Sequence, residues 1–214
     1  MTITKYGHCC LLLEGDGKRI LTDPGLFSYG FDTLTDIDII LITHEHADHY
    51  HTEAVTQILE INPEAIVVTN TSVAKLLKEL GIDAHILEGR EAATVVDIAL
   101  EAYDGEHVEI FESFGIVQNT GYFVADTFFF PGDAYTVPDK HVHILGLPVA
   151  GPWCKVSDAL RYALSVAPDI AVPIHDATLS DIGKQGTYSH FTRELTKHSI
   201  GFIPLAEGKT TLIP

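Results

Sequence analysis

Residues 43 to 50 read THEHADHY, directly after the apolar run DIDIILI at 36 to 42. That juxtaposition constrains the fold more than any other part of the chain. An Ile-rich run bounded by polar residues reads as a buried strand, and a bend at its end turns side chains at alternate spacing into one cavity. Neutral imidazole and carboxylate suit borderline metals such as zinc. His44, His46, Asp48 and His49 therefore read as four ligands offered by one strand exit. Composition alone predicts roughly 0.003 occurrences of HxHxDH in such a chain, so chance is a weak explanation. One loop cannot fill two metal sites, and further ligands are expected at other strand ends.

Three such positions stand out. His107 lies in DGEHVEI after a β segment, Asp133 in FFFPGDA after three phenylalanines, and His175 in DIAVPIHDA at the end of another apolar run. Around them the chain alternates. ITKYGHCCLLLEGDGKRILTDPG reads as two strands joined at Asp16 and Gly17, and residues 24 to 36 as a loop overhanging a pocket. TEAVTQILEIN and TSVAKLLKELG have helical spacing, with Thr52 and Thr71 or Ser72 as caps and Gly81 at a helix exit. AHIL, TVVDIALEAY, GYFVAD and TFFFPG read as strands. The last third returns to strand and helix, with VSDALRYALSVA stopped by Pro168 and SHFTRELTKH as the final helix. Two portions that each mix β meander with α/β predict one domain over 1–214, an α/β four-layer αββα sandwich with two mixed sheets face to face and helices outside.

Thirteen basic against thirty acidic residues give a formal net charge of −17. Such a field repels phosphate backbones and anionic lipid headgroups, so neither nucleic acid nor membrane is expected as a partner. No apolar run approaches the roughly 18 to 20 residues that span a bilayer. An odd three cysteines, two of them vicinal, point to reduced thiols and a cytoplasmic protein.

HxHxDH followed by separate His, Gly-Asp and His positions resembles the metallo-β-lactamase fold of metal-dependent hydrolases, over essentially the whole chain. The phrases KYGHCCLLLEGDGKRILTDPG, PGDA, LPVAGPW and VPIHDA resemble a compact bacterial branch near the ascorbate-phosphate lactonases. The resemblance implies that His44, His46 and His107 hold a first divalent metal, Asp48, His49 and His175 a second, and that Asp133 bridges them. Zinc is the first expectation, with manganese or iron as the other fits. A water or hydroxide between the metals, its pKa lowered toward about 7, would be the nucleophile, and Asp48 would also take a proton.

Further readings accompany that set. Asp23 in LTDPG is a support for the histidine loop or a turn residue. His8 in YGHCC faces the cavity or is a buried structural histidine. His190 in YSHF enters the pocket or starts a helix. Phe27, Tyr29 and Phe31 form a substrate wall or pack, and Trp153 edges the pocket or packs a helix.

The expected function is hydrolysis of a small-molecule ester, lactone or phosphodiester. A cysteine ligand of the kind true β-lactamases use is missing, and no basic appendage serves a nuclease. The alternatives are an iron-dependent dioxygenase of the persulfide type and a non-catalytic metal-binding protein of the same fold. Oligomeric state is not legible.

Overall fold

The computed structural model describes residues 1–214. The first portion runs β1 (Thr2–Lys5), β2 (Leu11–Gly15), β3 (Lys18–Thr22), β4 (Ile39–Leu41), α1 (Thr52–Ile61), β5 (Ile66–Thr69), α2 (Thr71–Glu79) and β6 (Ala84–Ile86). The second runs β7 (Ala92–Val95), β8 (Ile98–Glu106), β9 (Gln118–Val124), β10 (Phe128–Phe130), β11 (Ile144–Pro148), α3 (Val156–Val166), β12 (Ile170–Ile174), α4 (Asp181–Thr196), β13 (Gly201–Phe202) and β14 (Thr210–Leu212).

Two seven-stranded sheets result, ordered β14-β1-β2-β3-β4-β5-β6 and β13-β12-β11-β10-β9-β8-β7. Each is mixed. β3 to β6 are parallel in the first sheet and β10 to β13 in the second, the other pairings being antiparallel.

Strand alternation explains the continuous apolar runs. Ile39 and Leu41 face a core between the sheets while Ile40 packs under α1 and α2. Phe128 and Phe130 enter that same central core, and Phe129 packs under α3 and α4. Even the vicinal cysteines divide this way, Cys9 inward and Cys10 outward. Central strands covered on both faces need apolar residues at every position, and the expected four-layer αββα sandwich follows. No helix is long and apolar enough to cross a membrane.

Local details differ from the sequence reading. The first β segment holds three strands, because the Tyr6–Cys10 turn, closed by Tyr6 N–H donating to Cys10 O, separates β1 from β2. TVVDIALEAY is a hairpin: Val96 and Asp97 take φ of 50° and 64°, a turn conformation without the usual glycine signal. Asn70, one residue before the expected caps, accepts from Val73 N–H and starts α2. His51 rather than Thr52 occupies the α1 cap position and makes no side-chain capping bond.

Candidate metal centre

Pairing directions decide where the chemistry gathers. β1, β3, β4, β8, β10 and β12 all end at the same edge of the sandwich, so the segments after them meet there. β4 delivers residues 43–50, β8 delivers His107, β10 delivers Asp133 and β12 delivers His175. This is the carboxyl edge where ligands of open sheets commonly bind.

The seven residues converge as two groups. Ligand atoms of His44, His46 and His107 lie within 4.8 Å of one another, and so do those of Asp48, His49, His175 and His8. Asp133 stands between the groups. Its Oδ2 lies 3.2 Å from His107 Nε2 and 3.0 Å from His175 Nε2, and its Oδ1 lies 3.1 Å from His49 Nε2.

Hydrogen bonds on the far side of each ring fix which nitrogen faces inward. Thr43 Oγ1 donates to Asp23 Oδ2 at 2.7 Å, so it accepts from His44 Nδ1 at 3.0 Å. His49 Nδ1 donates to Asp23 Oδ2 at 2.7 Å, and His107 Nδ1 donates to the Val108 carbonyl at 2.6 Å. All three rings thus commit Nδ1 on the far side and turn Nε2 to the centre, the orientation a metal ligand needs.

Those inward atoms lack partners. His44, His49 and His107 Nε2, Asp133 Oδ1 and both nitrogens of His175 are buried without a hydrogen bond. Buried polar atoms are almost always paired, and a convergent set of imidazole nitrogens and carboxylate oxygens is satisfied by cations. The residues present therefore fit divalent metal, which His44, His46 and His107 on one side and Asp48, His49 and His175 on the other would hold.

Burial and the neighbouring carboxylates set the electrostatics. Burial alone would raise the Asp133 carboxyl, yet His175 and His49 outweigh it and hold Asp133 well below the usual carboxylate range. For His49, burial opposes the charge, but the Asp133 and Asp23 carboxylates raise its pKa. Burial, joined by His49, drives His44 well below the ordinary histidine value.

Backbone strain collects here too. His8, Asp23 and His175 take positive φ of 46°, 35° and 59°, a region that costs non-glycine residues about 1–2 kcal/mol. Gly25 makes the tightest approach: a Cβ there would stand 1.9 Å from the Asp48 carbonyl oxygen. Only hydrogen fits between the β3 exit and the histidine loop.

The remaining site expectations divide. Asp23 is fully buried and ties His49 to Thr43, using Oδ2 for His49 and accepting Thr43 N–H on Oδ1 at 2.8 Å. His8 is fully buried with Nε2 3.2 Å from Asp48 Oδ2. Ala177 N–H donates to His8 Nδ1 at 3.4 Å, so the ring proton sits on Nε2 and His8 donates to Asp48. His190 does not enter the pocket: α4 begins nine residues earlier, at Asp181, and His190 lies exposed within it. Phe31 packs in the α1/α2 core, whereas Phe27 and Tyr29 are exposed.

Trp153 lines the pocket, and its indole N–H donates to Asp133 Oδ2 at 3.0 Å. Sequence reasoning missed that bond, and it missed Asn119, whose Oδ1 accepts the Asp133 N–H at 2.9 Å. It also missed a network behind His175. Lys5, 1% exposed, donates to Asp176 Oδ1 at 2.6 Å and to the Pro173 carbonyl at 3.1 Å, while Tyr188 donates to Asp176 Oδ2. Lys5 ends the largely buried strand β1, and a buried ammonium group needs partners.

Comparison with known proteins locates this architecture. The family model described as a beta-lactamase superfamily domain matches residues 2–175. A Mycobacterium tuberculosis protein is 35% identical over 209 residues, covering 95% of this chain and 97% of its own. A metal-dependent hydrolase of Methanosphaerula palustris is 27% identical, covering 82% and 83% of the two chains. Among solved structures, a metallo hydrolase of Ignicoccus hospitalis superposes with a TM-score of 0.76 at 19% identity, covering 98% and 97%.

Proposed function

The chain belongs to the metallo-β-lactamase superfamily of metal-dependent hydrolases, and from that premise we propose that it uses two divalent cations, zinc first, to cut a small ester, lactone or phosphodiester. One observation carries the reading. Unpaired acceptor atoms of two residue groups converge on Asp133, whose two oxygens reach both groups.

Paired cations supply a water nucleophile at neutral pH and polarise the bond under attack. The rest is the work of this chain. Asp133 spans the two groups, and the Trp153 and Asn119 bonds hold its carboxylate and backbone in place. Asp23, by binding His49 and Thr43, fixes the histidine loop. Asp48 is about a quarter exposed at the pocket, and its Oδ2 takes the His8 proton in a hydrogen bond. That leaves its other oxygen free to accept a proton from the attacking water and pass it to the leaving group. The Ala47, Ile110, Pro152 and Trp153 walls shed bulk water around the reacting bond.

The test is hydrolase profiling of metal-quantified protein on lactones, carboxyl esters and phosphodiesters, beside Asp133→Ala. Turnover is expected on at least one class, lost in the variant together with most of its bound metal. Wild-type turnover by Asp133→Ala refutes the bridging role, and a silent panel with full metal occupancy refutes the hydrolase.

A further inference from the structure

The mouth of the metal pocket has a charge pattern that the reaction itself does not require. No Lys or Arg occurs between residues 20 and 74 or between 91 and 139. Those stretches contain four of the loops at the metal edge: 23–38, 42–51, 107–117 and 131–139. Acidic groups stand on the same edge, with Glu45 beside the metal-loop histidines, Glu109 and Glu112 around Ile110, and Asp181 at the start of α4.

Two cations lie nearby, one in the first turn of α4 and one just before α3. Lys184 is engaged with Glu207 at 3.0 Å and Asp176 at 3.7 Å, and Lys155 follows Trp153 without lining the pocket. A substrate oxyanion at the reacting centre would find metal there. A second, distal anionic group would meet carboxylates and no ammonium or guanidinium partner.

What the mouth offers instead is apolar surface. The cavity, about 270 Å³, is walled by Ala47, Ile110, Pro152 and Trp153. Leu26, tied to the Ala47 carbonyl through its N–H at 2.7 Å, is 56% exposed. Next to it Phe27 sets its ring against His8 with centroids 5.4 Å apart. Phe111 and Phe114, on the loop that carries the lining residue Ile110, meet edge to face at 6.1 Å, and both remain exposed. Large exposed apolar residues on two loops beside one concave polar centre mark a ligand surface.

We propose that the substrate is an uncharged ester or lactone bearing an apolar arm that lies on this rim, and that substrates with a distal phosphate or carboxylate are rejected. The proposal rests on the hydrolase reading and narrows it. Its test reads binding as well as turnover. Zinc-loaded protein is titrated calorimetrically with n-alkyl hydroxamates of increasing length and with the same series carrying a terminal carboxylate. Each added methylene should tighten binding roughly two- to fourfold, as partial to full burial of a CH₂ dictates. The terminal carboxylate should weaken it about tenfold.

Phe111→Ser/Phe114→Ser should flatten the chain-length dependence. A flat series with native protein, or tighter binding of the carboxylated members, overturns the proposal. So does a variant with changed oligomeric mass and an unchanged chain-length dependence, because the rim would then be a subunit interface. Hydrolysis of the matched lactones is measured separately. Silence there counts against the hydrolase, whereas the hydroxamate series still reports on the rim.

Discussion

Replacing Lys5 by Met isolates the contribution of the buried network behind His175. The Lys5 ammonium is 1% exposed and 2.6 Å from Asp176 Oδ1, and Asp176 itself is 1% exposed. With the ammonium gone, the carboxylate keeps the Tyr188 hydroxyl and a partly exposed Lys184 3.7 Å away. Breaking one side of such a pair costs about 3–5 kcal/mol, because the surviving charge stays buried without its partner. For a chain of this size each kcal/mol moves the melting temperature about 2–4 °C. The metal-free variant should therefore melt roughly 6–20 °C lower, with a matching fall in urea resistance.

The sign with pH is fixed. Burial pushes the Asp176 carboxyl up, but Lys5 and Tyr188 outweigh burial and hold it below the ordinary value. That stability is present above the unfolded-state pKa of about 3.9 and fades as pH falls through the lower folded value, so the gap between wild type and variant narrows in acid. Lys5→Met/Asp176→Leu/Tyr188→Phe should regain most of the loss, since no charge is left stranded. A Lys5→Met loss below about 1 kcal/mol, or a triple variant weaker than the single one, would falsify the assignment of the loss to a stranded carboxylate.

Two other perturbations probe the centre directly. Gly25→Ala forces a Cβ against the Asp48 backbone, so it should cost at least about 2 kcal/mol and weaken metal binding about tenfold or more in chelator competition; wild-type affinity would show that the loop yields freely. Burial, against the pull of Asp48, holds His8 down at about 4. The unfolded chain therefore binds more protons between about pH 4 and about pH 6.5, and acidification across that window should remove about 3 kcal/mol of metal-free stability through His8. His8→Gln should flatten that part of the unfolding profile, and an unchanged slope refutes the depressed value.

Much of the centre was legible because ligand-type residues stand at strand ends, three of them close after apolar runs. His44, His107, Asp133 and His175 each stand where a strand ends, and periodicity finds strand ends well. The supporting bonds were not legible. Trp153 to Asp133 spans 20 positions and Lys5 to Asp176 spans 171, and no local pattern encodes a contact that depends on how two sheets stack. The turn at Val96 and Asp97 escaped because β-branched Val96 disfavours positive φ and no glycine marks the pair. His190 misled for the opposite reason. Its neighbours Tyr188 and Phe191 pack inward, but helical spacing turns His190 itself to solvent.

The division of the ligands between the sheets has a mechanical consequence. The histidine loop hangs from the first sheet, and His107, Asp133 and His175 hang from the second. An ion bound by both is a clasp closing one end of the sandwich. Its binding energy opposes the peeling of the two halves and adds RT ln(1 + [L]/Kd) to the work of unfolding. On the proposed metal centre, resistance to heat in this chain would rise with the free concentration of the metal as well as with its apolar core.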